Sequence, residues 1–225
     1  MAKIHGIPGE WARVKGTVLG LWPVFAAVML LGFALALAIF ASILAGVILF
    51  VGALVFLGLS LLRGLQRIER YFIGARGEEH VAGLLRKIPD TYHVYNDFKA
   101  GNYRVDHVVI GPAGVFAIET KCWRGRVTVE ENHILLDGQL PDHSPLAQAA
   151  REAASVRKVL AKLGYDGPVT PVLAFASDTF AAHIAEVEGV VVMNAAEIDT
   201  CFQTSQVILQ PAELARLIGL LENLK

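Results

Sequence analysis

From Thr17 to Leu62 the chain has no charged residue, an uninterrupted run of 46 positions. A bilayer core of ~30 Å takes ~20 helical residues, so the run is about twice the length of one span. As one straight helix, rising ~1.5 Å per residue, it would extend about 69 Å, beyond any membrane thickness. Two helices joined by a tight turn near Ile39–Ile43 fit the pattern. Small residues at Gly32, Ala36, Ala38, Ala41 and Ala45 would allow the two helices to approach closely. With no acidic or basic residue inside the run, an anchor is expected rather than an ion path.

Lys3, Arg13 and Lys15 precede the run and Arg63, Arg67 and Arg70 come after it. Positive charge on both flanks predicts both ends in the cytoplasm and the hairpin tip outside, with Trp11 and Trp22 as interfacial anchors. The expected partner of this part is a lipid bilayer, the inner or plasma membrane. A secretory signal is the competing reading, since Ala34-Leu35-Ala36 has the form of a cleavage site. The apolar run continues for a further span beyond that site, and the arginines after it keep the remainder cytoplasmic in either case. The apolar content of 54% and mean hydropathy of +0.50 reflect this segment, and the residues after Leu62 suit one globular domain.

Downstream, three charged side chains stand in strands where apolar residues belong. Tyr103–Ile110 reads Y-R-V-D-H-V-V-I and Val115–Cys122 reads V-F-A-I-E-T-K-C, separated by Gly111-Pro112-Ala113-Gly114. β-Branched and aromatic runs around such turn chemistry predict a hairpin. Strand alternation puts Asp106 on one face with Val108 and Ile110, and Glu119 and Lys121 on one face with Val115 and Ala117. Two carboxylates and an ammonium would then meet at one end of a sheet face. Mg²⁺ needs only one or two carboxylates beside phosphate oxygens and water. A neighbouring Lys can stabilise an anionic transition state or orient water. The alternative is a plain ion pair, with Lys121 neutralising Glu119.

D-x12-E-T-K on consecutive strands resembles the active-site signature of the PD-(D/E)xK nuclease superfamily. Three further blocks accompany it: Gly74-Ala75-Arg76-Gly77-Glu78, then W-R-G-R-V from Trp123, then Pro145-Leu146-Ala147-Gln148. The ordered set over roughly residues 73–178 resembles the nuclease-related domain. The resemblance implies an α/β, restriction-endonuclease-like core of order α-β-β-β-α-β with a mixed sheet. It also implies nucleic acid as partner, DNA ahead of RNA, and Mg²⁺ or Mn²⁺ held by Asp106 and Glu119 with a main-chain carbonyl near Thr120. Lys121 would position or activate water, with Glu78 and Gln148 in support. Trp123 fits the family pattern, whereas Cys122 replaces the usual Asn on the face away from the site.

Glu78 lies three residues before Val81 and seven before Leu85, on the apolar stripe of a helix expected over Glu78–Ile88. A carboxylate there either reaches the metal site or serves the helix N-terminus. Gln148 either holds a water or phosphate near Lys121 or hydrogen-bonds the helix start. Arg63–Ile73 is expected to continue as a basic juxtamembrane helix. Strands are expected at Thr91–Phe98, Arg126–Val129, His133–Leu136, Val169–Ala176 and Val187–Met193. Helices are expected from Ser144 to Gly164 and over Ala212–Leu224. The organisation is thus 1–18, an N-terminal segment; 19–62, the apolar hairpin; 63–73, the juxtamembrane helix; 74–180, the nuclease-like domain; and 181–225, a C-terminal strand and helices.

After Leu62 the chain carries 17 Lys and Arg against 20 Asp and Glu, a net charge of −3. No global basic footprint exists. A local patch of Arg124, Arg126, Arg151, Arg157, Lys158 and Lys162 is either a contact surface for nucleic acid or an ordinary solvated face. Two cysteines form no disulfide framework. His107 is expected behind the sheet. His80, His93, His133, His143 and His183 show no metal-ligand spacing such as H-x3-H. Besides hydrolysis, the same residues allow two further classes: a catalytically silent nucleic-acid- or protein-binding module, and a membrane scaffold.

Overall fold

A computed structural model describes residues 1–177, 180, 184–204 and 208–222. His183 and the last residues of the expected C-terminal helix lie outside them. The chain forms two compact units, Glu10–Ala75, and Met1–Gly9 together with Arg76–Lys225.

The first unit holds two long helices, α1 (Glu10–Phe40) and α2, which begins at Ile43 and runs to Leu85. The break at Ala41-Ser42 falls within the expected turn. Both helices are long and apolar enough to cross a membrane. Their contact line differs from the expected one. Gly20, Ala27 and Ala34, each seven residues from the next, are buried, as is Gly16. Seven residues make about two turns, so these positions share a face. A Cβ at Gly64 would meet the Gly20 carbonyl oxygen at 2.6 Å, so glycine is required where the backbones cross. Gly32 has open space around it and Ala36 is exposed, because both lie off that line; of the expected stripe, Ala38 meets Gly46. Phe25, Met29 and Phe33 face outward with 63%, 76% and 62% of their surface exposed, a surface suited to hydrocarbon rather than water.

Helix α2 bears out the continuation over Arg63–Ile73 and corrects the separate helix expected from Glu78. The second apolar span, the juxtamembrane arginines and the helix begun at Glu78 are one uninterrupted helix of 43 residues. Gly74 and Gly77 stand at the expected boundary as candidate stop signals, but no proline accompanies them and both lie inside the helix.

The second unit is a mixed α/β domain. Its strands are β1 (Lys3–His5), β2 (His93–Ala100), β3 (Tyr103–Gly111), β4 (Gly114–Lys121), β5 (Val127–Glu130), β6 (His133–Leu136), β7 (Val169–Phe175), β8 (Ile184–Val187) and β9 (Val190–Asn194). Its helices, beside the end of α2, are α3 (Pro145–Ala161), α4 (Ile198–Thr204) and α5 (Pro211–Glu222). Seven strands form one sheet in the order β1-β2-β3-β4-β7-β9-β8, and β5 pairs with β6 alone. β2, β3 and β4 are antiparallel, whereas β7 joins β4 in parallel after the α3 crossover. The order α2-β2-β3-β4-α3-β7 is the expected core.

One sheet face packs Val109, Phe116 and Ile118 against Val81 and Leu85 of α2. The other packs Val108, Ile110, Val115 and Ala117 against Val156 and Leu160 of α3 and Leu217 and Leu221 of α5. Ser144 caps α3, its hydroxyl accepting from the Ala147 amide at 3.2 Å, and Pro145 fills the first turn.

Two strand assignments depart from the sequence reading. Val187–Met193 is not one strand: Glu188 and Gly189 have φ of +51° and +75° and turn the chain between β8 and β9. Lys3–His5, with no strand signal of its own, adds to the sheet edge in parallel with His93–Tyr95.

Candidate active site

Asp106 occupies a gap between strands. The β2–β3 register pairs Asn96 with His107 and Phe98 with Val105, passing over Asp97 and Asp106. Asp97 has a φ of +53°, which breaks the regular pleat opposite Asp106. The β3–β4 ladder ends at His107↔Ile118, while β4 continues beside β7 through Glu119↔Leu173 to Lys121↔Phe175. The two strands therefore part where their charged residues begin. Across the opening the Thr120 amide donates to Asp106 Oδ2 at 2.7 Å, so a side chain replaces the missing backbone acceptor.

Glu119 is buried, and its Oε1 accepts from Lys121 Nζ at 2.6 Å and from Gln148 Nε2 at 2.7 Å. Lys121 Nζ also donates to Gln148 Oε1 at 2.8 Å. Gln148 Nε2 donates a second bond, to Glu152 Oε1 at 2.9 Å. This fixes the amide's orientation, with its oxygen toward the ammonium and its nitrogen toward two carboxyl groups. The structure thus joins Glu119, Lys121 and Gln148 directly. Gln148 is committed to the site rather than to its helix start, which Ser144 caps.

Glu78 lies in the body of α2, not at a helix N-terminus. Gly77 beside it touches the strand end, where a Cβ would stand 2.8 Å from the Cβ of Cys122. Glu78 is near enough to Asp106 to act on it electrostatically. The Asp106 carboxyl is pushed well above the usual range by desolvation first, then by the negative charges of Glu119 and Glu78. The Thr120 bond opposes that rise and Glu152 adds to it.

Sequence reasoning misses Glu152. It is 4% exposed, one turn after Gln148, and lies close enough to Glu119 for the two carboxyl groups to share a hydrogen bond. Burial, then the Glu119 charge, pushes its carboxyl up to about 8. Its position among Ala149, Ala153 and Val156 is the available signal, the same logic that singles out Glu78.

His107 is buried behind the sheet as expected. Its Nδ1 lies 2.8 Å from Asn96 Oδ1, and burial pushes it down to about 3, so the ring is neutral. Cys122 is a partly buried free thiol. Arg124, Arg126, Arg151, Arg157, Lys158 and Lys162 are all exposed.

Residues 73–176 match the family model of the nuclease-related domain. The chain carries a nuclease-related domain. All five residues expected in its site fall inside that match, as does Glu152. No curated protein and no solved structure matches the chain. The match implies a nuclease-related function.

A hard divalent cation fits these residues. The donors are carboxylate oxygens, and burial makes their charged forms costly without a compensating positive charge. Lys121 bonds Glu119, but the Asp106 carboxyl is met only by a backbone amide among the hydrogen bonds of the described residues.

Proposed function

We propose that the protein is a membrane-anchored nuclease that hydrolyses phosphodiester bonds of nucleic acid in the cytoplasm with Mg²⁺, or Mn²⁺ in its place. The observation that carries this reading is the excess of carboxyl groups over cations in the strand opening. A structural ion pair needs Glu119 and Lys121 alone; it gives no reason to bury Glu152 and to raise Asp106 beside them.

Asp106 and Glu119 would hold the metal, with a main-chain carbonyl near Thr120 as a further oxygen donor. When bound, the ion supplies Lewis-acid polarisation of a phosphoryl oxygen and lowers the pKa of a coordinated water. Lys121, fixed by Glu119 and Gln148, holds its ammonium where negative charge develops and orients the attacking water. Gln148 keeps both partners in place, Glu78 deepens the negative potential that draws the cation, and Glu152, protonated below a pH of about 8, holds the Gln148 amide. Exposed Arg124, Arg126 and Arg151 offer contacts to a phosphate backbone, with DNA expected ahead of RNA.

The test is cleavage of end-labelled DNA and RNA by the full-length protein in detergent. A fragment begun near Arg63 would lack strand β1 and is a poorer sample. Mg²⁺- or Mn²⁺-dependent cutting is expected. A folded protein that binds nucleic acid without cutting it would make the domain a binding module instead, and one that does neither would make it a scaffold.

The pairing of Lys3–His5 with His93–Tyr95 supports the anchor topology. One segment precedes the first apolar helix and the other comes after the second, yet they share a sheet and so must lie on one side of a bilayer. Lys3, Arg13 and Lys15 before the apolar run and Arg63, Arg67 and Arg70 after it favour the cytoplasm as that side. Reporter fusions before residue 3 and after residue 222 should both read cytoplasmic; opposite signals from the two would overturn the hairpin.

A further inference from the structure

A second polar cluster lies at the β1 edge of the sheet, built from residues distant in sequence. In the parallel register Lys3↔His93 and His5↔Tyr95, His5 and His93 stand diagonally on one face. Their rings stack with centroids 5.4 Å apart and planes 12° from parallel. His5 Nε2 lies 3.2 Å from His93 Nδ1. Glu222, in the last turn of α5, brings a carboxylate oxygen so that the three donor atoms lie within 4.8 Å of one another.

These distances match a coordination sphere. Two imidazole nitrogens, each ~2.0–2.1 Å from Zn²⁺, stand about 2.9 Å apart at a right angle and about 3.4 Å apart at the tetrahedral angle. The observed separation falls between those limits, and it is also that of the N–H···N hydrogen bond that joins the two rings. Two imidazoles and a carboxylate suit zinc and its neighbours in the first transition row, not the hard cation that suits Asp106 and Glu119. An open pocket of about 380 Å³, lined by Tyr95, Asn96 and Leu221 among others, borders the site on its His5 side.

We propose that His5, His93 and Glu222 form a site for one divalent transition-metal ion that fastens β1 to β2 and α5. β1 has three residues, and bonds outside its ladder with β2 also hold it. The Ala2 and Lys3 amides donate to the carbonyls of Arg86 and Tyr92 at 3.2 and 3.0 Å, and Asn96 Nδ2 donates to Gly6 O at 3.3 Å. A short edge strand is weak by itself, and a metal bridge to a helix at the far end of the sequence adds a cross-link.

The experiment uses the full-length protein in detergent, stripped with chelator and then titrated with Co²⁺ in excess Mg²⁺. One equivalent should bind, seen as visible d–d absorption, and Zn²⁺ should displace it. Asp106→Asn should keep the absorption, which separates this site from the nuclease site. His5→Ala and Glu222→Ala should each weaken Co²⁺ binding at least about tenfold, as loss of even outer-shell partners does. Glu222 is exposed, so its replacement decides the matter if His5→Ala fails to fold. Hydrogen exchange over residues 2–6 should slow with Zn²⁺ in the wild type alone. No stoichiometric absorption in the wild type, or absorption unchanged in Glu222→Ala, would overturn the proposal.

Discussion

The two ends of the β3–β4 hairpin are made from the same pair of strands and behave in opposite ways. At the turn end, His107↔Ile118 through Gly111↔Gly114 form an unbroken ladder around a two-residue turn. Val109, Ile110, Val115 and Ile118 there are essentially fully buried between α2 on one face and α3 and α5 on the other. At the other end the ladder stops and the strands part. Asp106, Glu119 and Lys121 come at once, with Gln148 and Glu152 over them from α3. Stability and function are thus kept apart on one hairpin. The closed end is optimised for packing, whereas the open end gathers like charges that burial and repulsion make unfavourable until a cation arrives.

Lys121→Ala strains this division hardest. It leaves Asp106 and Glu119 intact, so metal binding should persist while cleavage falls by about 10²–10³, the typical cost of removing a group aimed at developing charge. Loss of stability with no change in an activity would instead make Lys121 a structural partner of Glu119.

A smaller effect compares Glu152→Gln at the open end with Ile118→Val at the closed end, both without metal. Glu152 is raised to about 8, so between the ordinary carboxylate range and that pH the folded chain holds a proton that the unfolded chain releases. Stability from this group is therefore lost as pH rises through that window. Glu152→Gln should flatten the slope and raise the melting temperature at pH 8 more than at pH 5. Asp106, also raised, should leave part of the slope in place. Ile118→Val should cost about 0.5–1.5 kcal/mol at either pH, because it removes a buried methylene and no charge. A pH-independent effect of Glu152→Gln would contradict a carboxyl raised by burial and repulsion at the open end.

Much of this contrast is legible in the residues. Alternation of apolar side chains with Asp106, Glu119 and Lys121 predicts both strands, their faces and their turn, because strand periodicity is a local property. The stripe of α3 marks its buried face, and Ser144-Pro145 marks its start. The parts that stay hidden depend on long-range contact or are masked by a misleading local signal. β1 has no pattern of its own and is a strand because β2 offers an edge. The joining of the Glu78 helix to the segment before it is masked because Gly74 and Gly77 read as a break there. The Glu188-Gly189 turn is a readable hairpin signal, masked by the apolar residues on both sides. Glu152 has the same stripe position as Glu78, yet its importance comes from its distance to Glu119, which no spacing on one helix reveals.

Melting the full-length protein in detergent, with and without Mg²⁺ or Mn²⁺, decides whether the open end is a cation site or a settled ion pair. A ligand that binds only the folded state raises its apparent stability. The wild type should melt higher with millimolar Mn²⁺, and Asp106→Asn, whose amide oxygen can still accept the Thr120 bond, should fold and lose that shift. A wild-type curve that ignores both ions, or an Asp106→Asn curve that shifts as the wild type does, would contradict a cation site there.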